Sequence, residues 1–109
     1  MYLSIDLNLV RALGCSETVL LGIIQKSFKE FPNDVKIIEK EKFVKCSKSF
    51  LRKQLNYSRF QVNSCINSLI KQNIIKIMFI GDKKSMHVCI NEQMVINSMF
   101  THLAKFNNL

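Results

Sequence analysis

The stretch SKSFLRKQLNYSRFQVNSCINSLIK constrains this chain more than any other. In its first part Phe50, Leu51 and Leu55 fall on one side of a helix, and Lys48, Arg52 and Lys53 fall on the other. Asn56 and Tyr57 break that helix with a tight turn. Ser58 then opens a second helix through a Ser-x-x-Gln capping box, in which the Ser58 hydroxyl takes the Gln61 amide and Gln61 reaches back, with Tyr57 stapled against Val62. Val62, Cys65, Ile66 and Leu69 form the apolar face of this second helix. Its opposite face shows Arg59, Gln61, Asn63, Ser64, Asn67 and Lys71, all hydrogen-bond donors and none acidic. Two helices, a short turn and a polar second helix predict a helix-turn-helix over about residues 47–73.

Downstream, IIKIMFI, GDKK and SMHVCIN are two strand-type runs joined by a glycine-containing turn. They predict a hairpin over about residues 74–91, with Lys83 and Lys84 at its tip. Upstream, Leu3, Ile5, Leu7 and Leu9 alternate like a strand, whereas Ile5, Leu9, Ala12 and Leu13 fit a short helix; the helix is preferred. Gly14 ends it in a left-handed conformation, and Ser16 caps the next helix, 17–31. The stripe of that helix is Val19, Leu20, Ile23, Ile24, Ser27, Phe28 and Phe31. Pro32, Asn33 and Asp34 stop it. The charged run VKIIEKEK reads as a connection containing a strand turn at Val35–Ile38, and Phe43–Lys45 as a short strand.

The last segment, EQMVINSMFTHLAKFNNL, predicts a helix over about 92–106. Its stripe of Ile96, Met99, Phe100 and Leu103 has two uses: packing on the chain's own first helix, or pairing with a second copy to form a homodimer that reads two half-sites. His102, beside it, is expected at the surface. Helices followed by a hairpin define a winged helix. The expected fold is therefore α+β, mostly helical: a single winged-helix domain spanning 1–109, with an added C-terminal helix.

Charge is strongly polarised along the chain. Residues 1–42 balance Arg11, Lys26, Lys29, Lys36, Lys40 and Lys42 against Asp6, Glu17, Glu30, Asp34, Glu39 and Glu41. Residues 43–91 set Lys45, Lys48, Arg52, Lys53, Arg59, Lys71, Lys76, Lys83 and Lys84 against Asp82 alone, so the entire net charge of +8 arises there. Such a field attracts a polyanion, and release of counterions from bound phosphates supplies affinity that ignores sequence.

Other classes are excluded in turn. No apolar run approaches the roughly 20 residues of a membrane span, and MYLSIDLNL lacks the features of a secretory signal, so a cytoplasmic protein without membrane contact is expected. Cys15, Cys46, Cys65 and Cys89 show no Cys-x-x-Cys pair; they read as reduced packing residues rather than metal ligands. His87 and Cys89 share one face of a strand and read as a solvated or packed pair. A Gly-rich phosphate loop, paired carboxylates on one element, a Ser-His-Asp order and metal-ligand spacing do not occur in the sequence, so neither an enzyme nor a cofactor is expected.

Double-stranded DNA is the expected partner. Arg59, Gln61 and Asn63 are the candidates for reading base edges, since Arg pairs with guanine and Asn or Gln with adenine. Gln61 alternatively serves only the capping box, and Arg59 only a phosphate. Lys48, Lys53, Ser58, Ser64, Lys71, Lys83 and Lys84 are assigned to the DNA backbone. Phe60 either meets a thymine methyl or belongs to the core.

The run SRFQVNSCINSLIKQNIIKI resembles the recognition helix of bacterial winged-helix proteins, with its Ser-Arg start, buried Val, late Leu and closing Ile-Ile strand. Together with IDLNLVRALGCSETVLLGIIQKSF and KFVKCSKSFLRKQL, it resembles the N-terminal winged-helix domain of phage and plasmid replisome organisers, the DnaD-like replication initiators, over roughly residues 5–91. Aromatic residues common in that family's second helix are absent. The resemblance implies DNA binding in replication initiation, alongside replication proteins as partners. A role in transcription regulation fits the helix-turn-helix equally. The alternative is a protein-binding winged-helix adaptor that uses its wing or its last helix.

Overall fold

The computed structural model describes residues 6–107, with side chains through residue 99. Five α-helices and a four-stranded antiparallel sheet make an α+β fold that is mostly helical. The alternation proposed for Leu3 and Ile5 lies outside the described residues. From Leu7 the chain is helical, and α1 (Leu7–Leu13) starts at Asp6, whose carboxylate accepts the Asn8 N–H at 2.8 Å. Gly14 follows with φ of +101°. That is a glycine conformation, though not the left-handed helical one expected.

Gly14, not Ser16, is the N-cap of α2 (Cys15–Glu30). The helix therefore begins two residues earlier than its sequence signals indicate. The Thr18 hydroxyl donates to the Gly14 carbonyl at 2.7 Å, and the Ser16 carbonyl accepts a hydrogen bond from the Tyr57 hydroxyl at 3.2 Å. Leu20, Leu21, Ile23 and Ile24 are buried, Phe28 is half-buried, and Phe31 lies exposed beyond the helix end, edge-on to Phe50 with ring centroids 6.1 Å apart.

A 3₁₀ turn at Pro32–Asp34 leads into β1 (Val35–Ile38) and β2 (Glu41–Lys45). The stretch read as a connection is thus a complete hairpin, with Val35 paired to Val44 and Ile38 to Glu41. Its two-residue turn holds Glu39 at φ +50° and Lys40 at φ +68°. Two positive φ values in succession match the twist of flanking strands, the usual geometry of tight hairpins.

The segment after β2 follows its sequence closely. Ser47 caps α3 (Lys48–Leu55) by accepting the Phe50 N–H at 3.0 Å, and Asn56 ends it in the left-handed region. Ser58 caps α4 (Arg59–Lys71) with both bonds of the capping box in place, at 3.1 and 3.0 Å. Val62, Cys65, Ile66 and Leu69 are its buried residues.

At the far end of α4, Asn73 takes φ of +60°, the Ile74 N–H donates to the Leu69 carbonyl at 2.9 Å and the Asn73 N–H to the Ile70 carbonyl at 3.0 Å. This is a Schellman motif with asparagine in the left-handed position, and it turns the chain directly into β3. The hairpin of β3 (Ile75–Ile80) and β4 (Ser85–Ile90) follows, closed by Gly81–Lys84.

Strand order is β1-β2-β4-β3, because Val44 of β2 pairs with Val88 of β4. β4 is thus central, and the row Val44, Val88 and Ile77 faces the core. Leu20, Leu21, Ile24, Leu51, Val62 and Leu69 fill the space between the sheet and α2, α3 and α4. Burial of that apolar area is the main stabilising contribution. α5 (Glu92–Asn107) starts from Asn91, whose Oδ1 accepts the Met94 N–H at 3.1 Å, and packs along α1. No single helix is long and apolar enough to cross a membrane among the described residues.

Candidate nucleic-acid interface

Tertiary packing decides which side of α4 remains open. With its four buried residues turned to the core, a period of 3.6 residues brings Phe60, Ser64, Asn67 and Lys71 into one row on the opposite side. All four are exposed. Phe60 is 80% exposed, the most of any large apolar side chain described, so it is not core.

The three residues expected to read bases lie on the flanks of this row, each with a different constraint. Arg59 is exposed at the first position of the helix. Gln61 is exposed, but its Oε1 accepts the Ser58 N–H at 3.0 Å, which commits that oxygen to the cap. Asn63, expected on the open face, is half-buried; its Oδ1 is shielded from solvent and has no hydrogen-bond partner. A paired contact to adenine needs both polar atoms of an amide, and Asn63 has one turned inward. Sequence periodicity named Asn67 on the correct face without singling it out; only the orientation of α4 against α2 and α3 separates the two asparagines.

The residues assigned to the DNA backbone are all exposed: Lys48 and Lys53 on α3, Ser58, Ser64 and Lys71 on α4, and Lys83 and Lys84 on the hairpin turn. α4 packs against α3 and against β3, which joins these elements into one body. Lys76 leaves the cationic set. Its ammonium donates to Glu41 at 3.0 and 3.1 Å, and that bond, with a further one from the Cys89 thiol, holds the Glu41 carboxyl below its ordinary range. The same bond raises the Lys76 ammonium. The other eight cations of residues 43–91 make no ion pair among the described residues.

Two lysines near the hairpin turn were not predicted as site residues. A cavity of about 400 Å³ between the two hairpins is lined by Lys36, Lys45 and Lys83, with Asp34, Asp82 and His87. Strand pairing explains this proximity, since Lys45 lies opposite His87 on β4. His87 is 3% exposed, and its Nδ1 lies 2.8 Å from the Ser85 carbonyl. His87 and Cys89 are thus packed. A larger cavity of about 880 Å³ lies on the other flank of the first hairpin, lined by Phe28, Val35, Ile37, Lys42, Cys89 and Glu92 among others.

Cys46 and Cys65 are buried as expected, whereas Cys15 is exposed and is not a packing residue. Of the stripe on the last helix, Met99 is half-buried against the chain's own core and Ile96 is 43% exposed. Phe100, His102 and Leu103 lie outside the described side chains. Val95, unmarked by the stripe, is the buried anchor of α5. The chain matches no protein-family model and no curated protein sequence.

Proposed function

We propose that the protein binds double-stranded DNA, with α4 in the major groove and the β3–β4 hairpin against the backbone as a wing, in phage- or plasmid-type replication initiation or in transcription regulation. One observation carries this reading: the exposed row of α4 is free of acid, and eight exposed cations on β2, α3, α4 and the β3–β4 turn have no ion-pair partner among the described residues. Element order supports it. The helices α2, α3 and α4 precede a hairpin whose second strand pairs with the strand before α3, the order of a winged helix. In such a complex the lysines position the protein, and the α4 row meets the base edges.

Salt dependence of duplex binding, read by fluorescence anisotropy, tests the proposal. Affinity falls steeply with salt, and Lys83→Ala/Lys84→Ala weakens all duplexes alike while reducing the log–log slope by up to about two. Affinity that ignores salt, or a double variant indistinguishable from the parent, contradicts it.

A second reading, a protein-binding adaptor, is favoured by the apolar side chains of Phe79 on the wing, 62% exposed, and Ile96 on α5. It predicts no duplex binding at any salt concentration. Pairing of two copies through Ile96 belongs to the DNA reading, because it sets two α4 helices on half-sites about one DNA turn apart. Light scattering of the free protein and of Ile96→Glu tests for it: a dimer that the variant abolishes supports the pairing, and a monomeric parent rejects it.

A further inference from the structure

We infer that Phe60 and Asn67 determine specificity, and that the preferred duplex carries a thymine contacted through its methyl group and an adenine contacted on its major-groove edge. This rests on the DNA reading above and names the bases it selects. Three facts carry it. Phe60, Ser64, Asn67 and Lys71 form the outward row of α4, so they meet a groove floor before Arg59, Gln61 or Asn63 do. Phe60 holds its ring 80% exposed within an otherwise polar row, and the apolar feature of a major-groove floor is the thymine C5 methyl.

The third fact separates the amides of α4. Gln61 has its oxygen in the cap and Asn63 has its oxygen turned inward, whereas Asn67 is exposed and neither amide atom has a partner among the described residues. Asn67 alone of these three has both atoms available for the paired contact with adenine N6 and N7. Seven residues of helix rise separate Phe60 from Asn67, about 10.5 Å, so the two contacts fall within about three base-pair steps.

The test begins by selecting preferred duplexes from a random pool and then replacing each thymine by uracil, which deletes one methyl group and nothing else. A thymine and an adenine within about three base pairs are expected in the selected site. Uracil at the contacted position lowers affinity about fourfold in the parent, and Phe60→Ala binds the thymine and uracil duplexes equally. Phe60→Leu retains part of the discrimination, which separates loss of the contact from damage to the helix. Asn67→Ala loses about tenfold and relaxes the preference at one A·T pair, whereas Asn63→Ala leaves that preference intact.

Uracil-indifferent binding by the parent, or discrimination that survives in Phe60→Ala, overturns the inference and leaves DNA binding standing. A protein that binds no duplex overturns both.

Discussion

Burial pushes the Cys46, Cys65 and Cys89 thiols up to about 11, while Cys15 stands exposed on the first turn of α2. Only a thiolate reacts rapidly with an alkylating agent, so iodoacetamide at pH 8 should modify Cys15 alone in the native protein. Mass spectrometry reads the result, and modification of Cys46 or Cys65 at the Cys15 rate contradicts it. At Ser58 the expected effect is on stability: Ser58→Ala removes the hydroxyl that accepts the Gln61 N–H and should cost about 1 kcal/mol in denaturant unfolding. Glu41 sets a pH signature. Its folded pKa is lowered, so the Lys76 pair contributes above the unfolded carboxylate pKa and is lost as pH falls through the lowered folded value. Melting temperatures of the parent and Glu41→Gln should therefore converge on acidification. The capping box was legible because it is a contact between residues three apart. The inward turn of Asn63 was not, because it depends on what packs beside α4.

Element boundaries follow the same division between local and distant causes. β3 and β4 were legible from strand-type runs around a glycine turn, whereas at β1 and β2 the strands at Val35–Ile38 and at residues 43–45 were legible but their pairing was not, because the turn between them carries Glu39 and Lys40 instead of the Asn-Gly pair that positive φ favours. This substitution of residue types makes a prediction: Glu39→Asn/Lys40→Gly should stabilise the protein by about 1–2 kcal/mol, read by thermal or urea unfolding. No gain would mean that the turn is not held with two positive φ values. Asn73 behaves oppositely, since asparagine tolerates the left-handed region and a β-branched residue does not. Asn73→Val should cost about 1–2 kcal/mol and Asn73→Gly very little. The start of α2 was misread for a related reason: Ser16 has the composition of a cap, but it is the Gly14 carbonyl that accepts the first helical N–H, from Thr18 at 3.0 Å.

At the scale of the whole molecule, the polarised charge was legible along the chain, and the pairing of Lys76 with Glu41 was not, because it joins strands from the neutral and the basic segments across the sheet. The cations left over lie on β2, α3, α4 and the β3–β4 turn, and the polar face of α4 is one that the core does not use. Amide chemical shifts show most directly whether a duplex docks on that face. Titration of the isotope-labelled protein with a short duplex at low salt should perturb the amides of residues 58–71 and 81–84, and leave those of α1 and α5 nearly still. Perturbations confined to α1 and α5, or none at saturating duplex, would contradict the account.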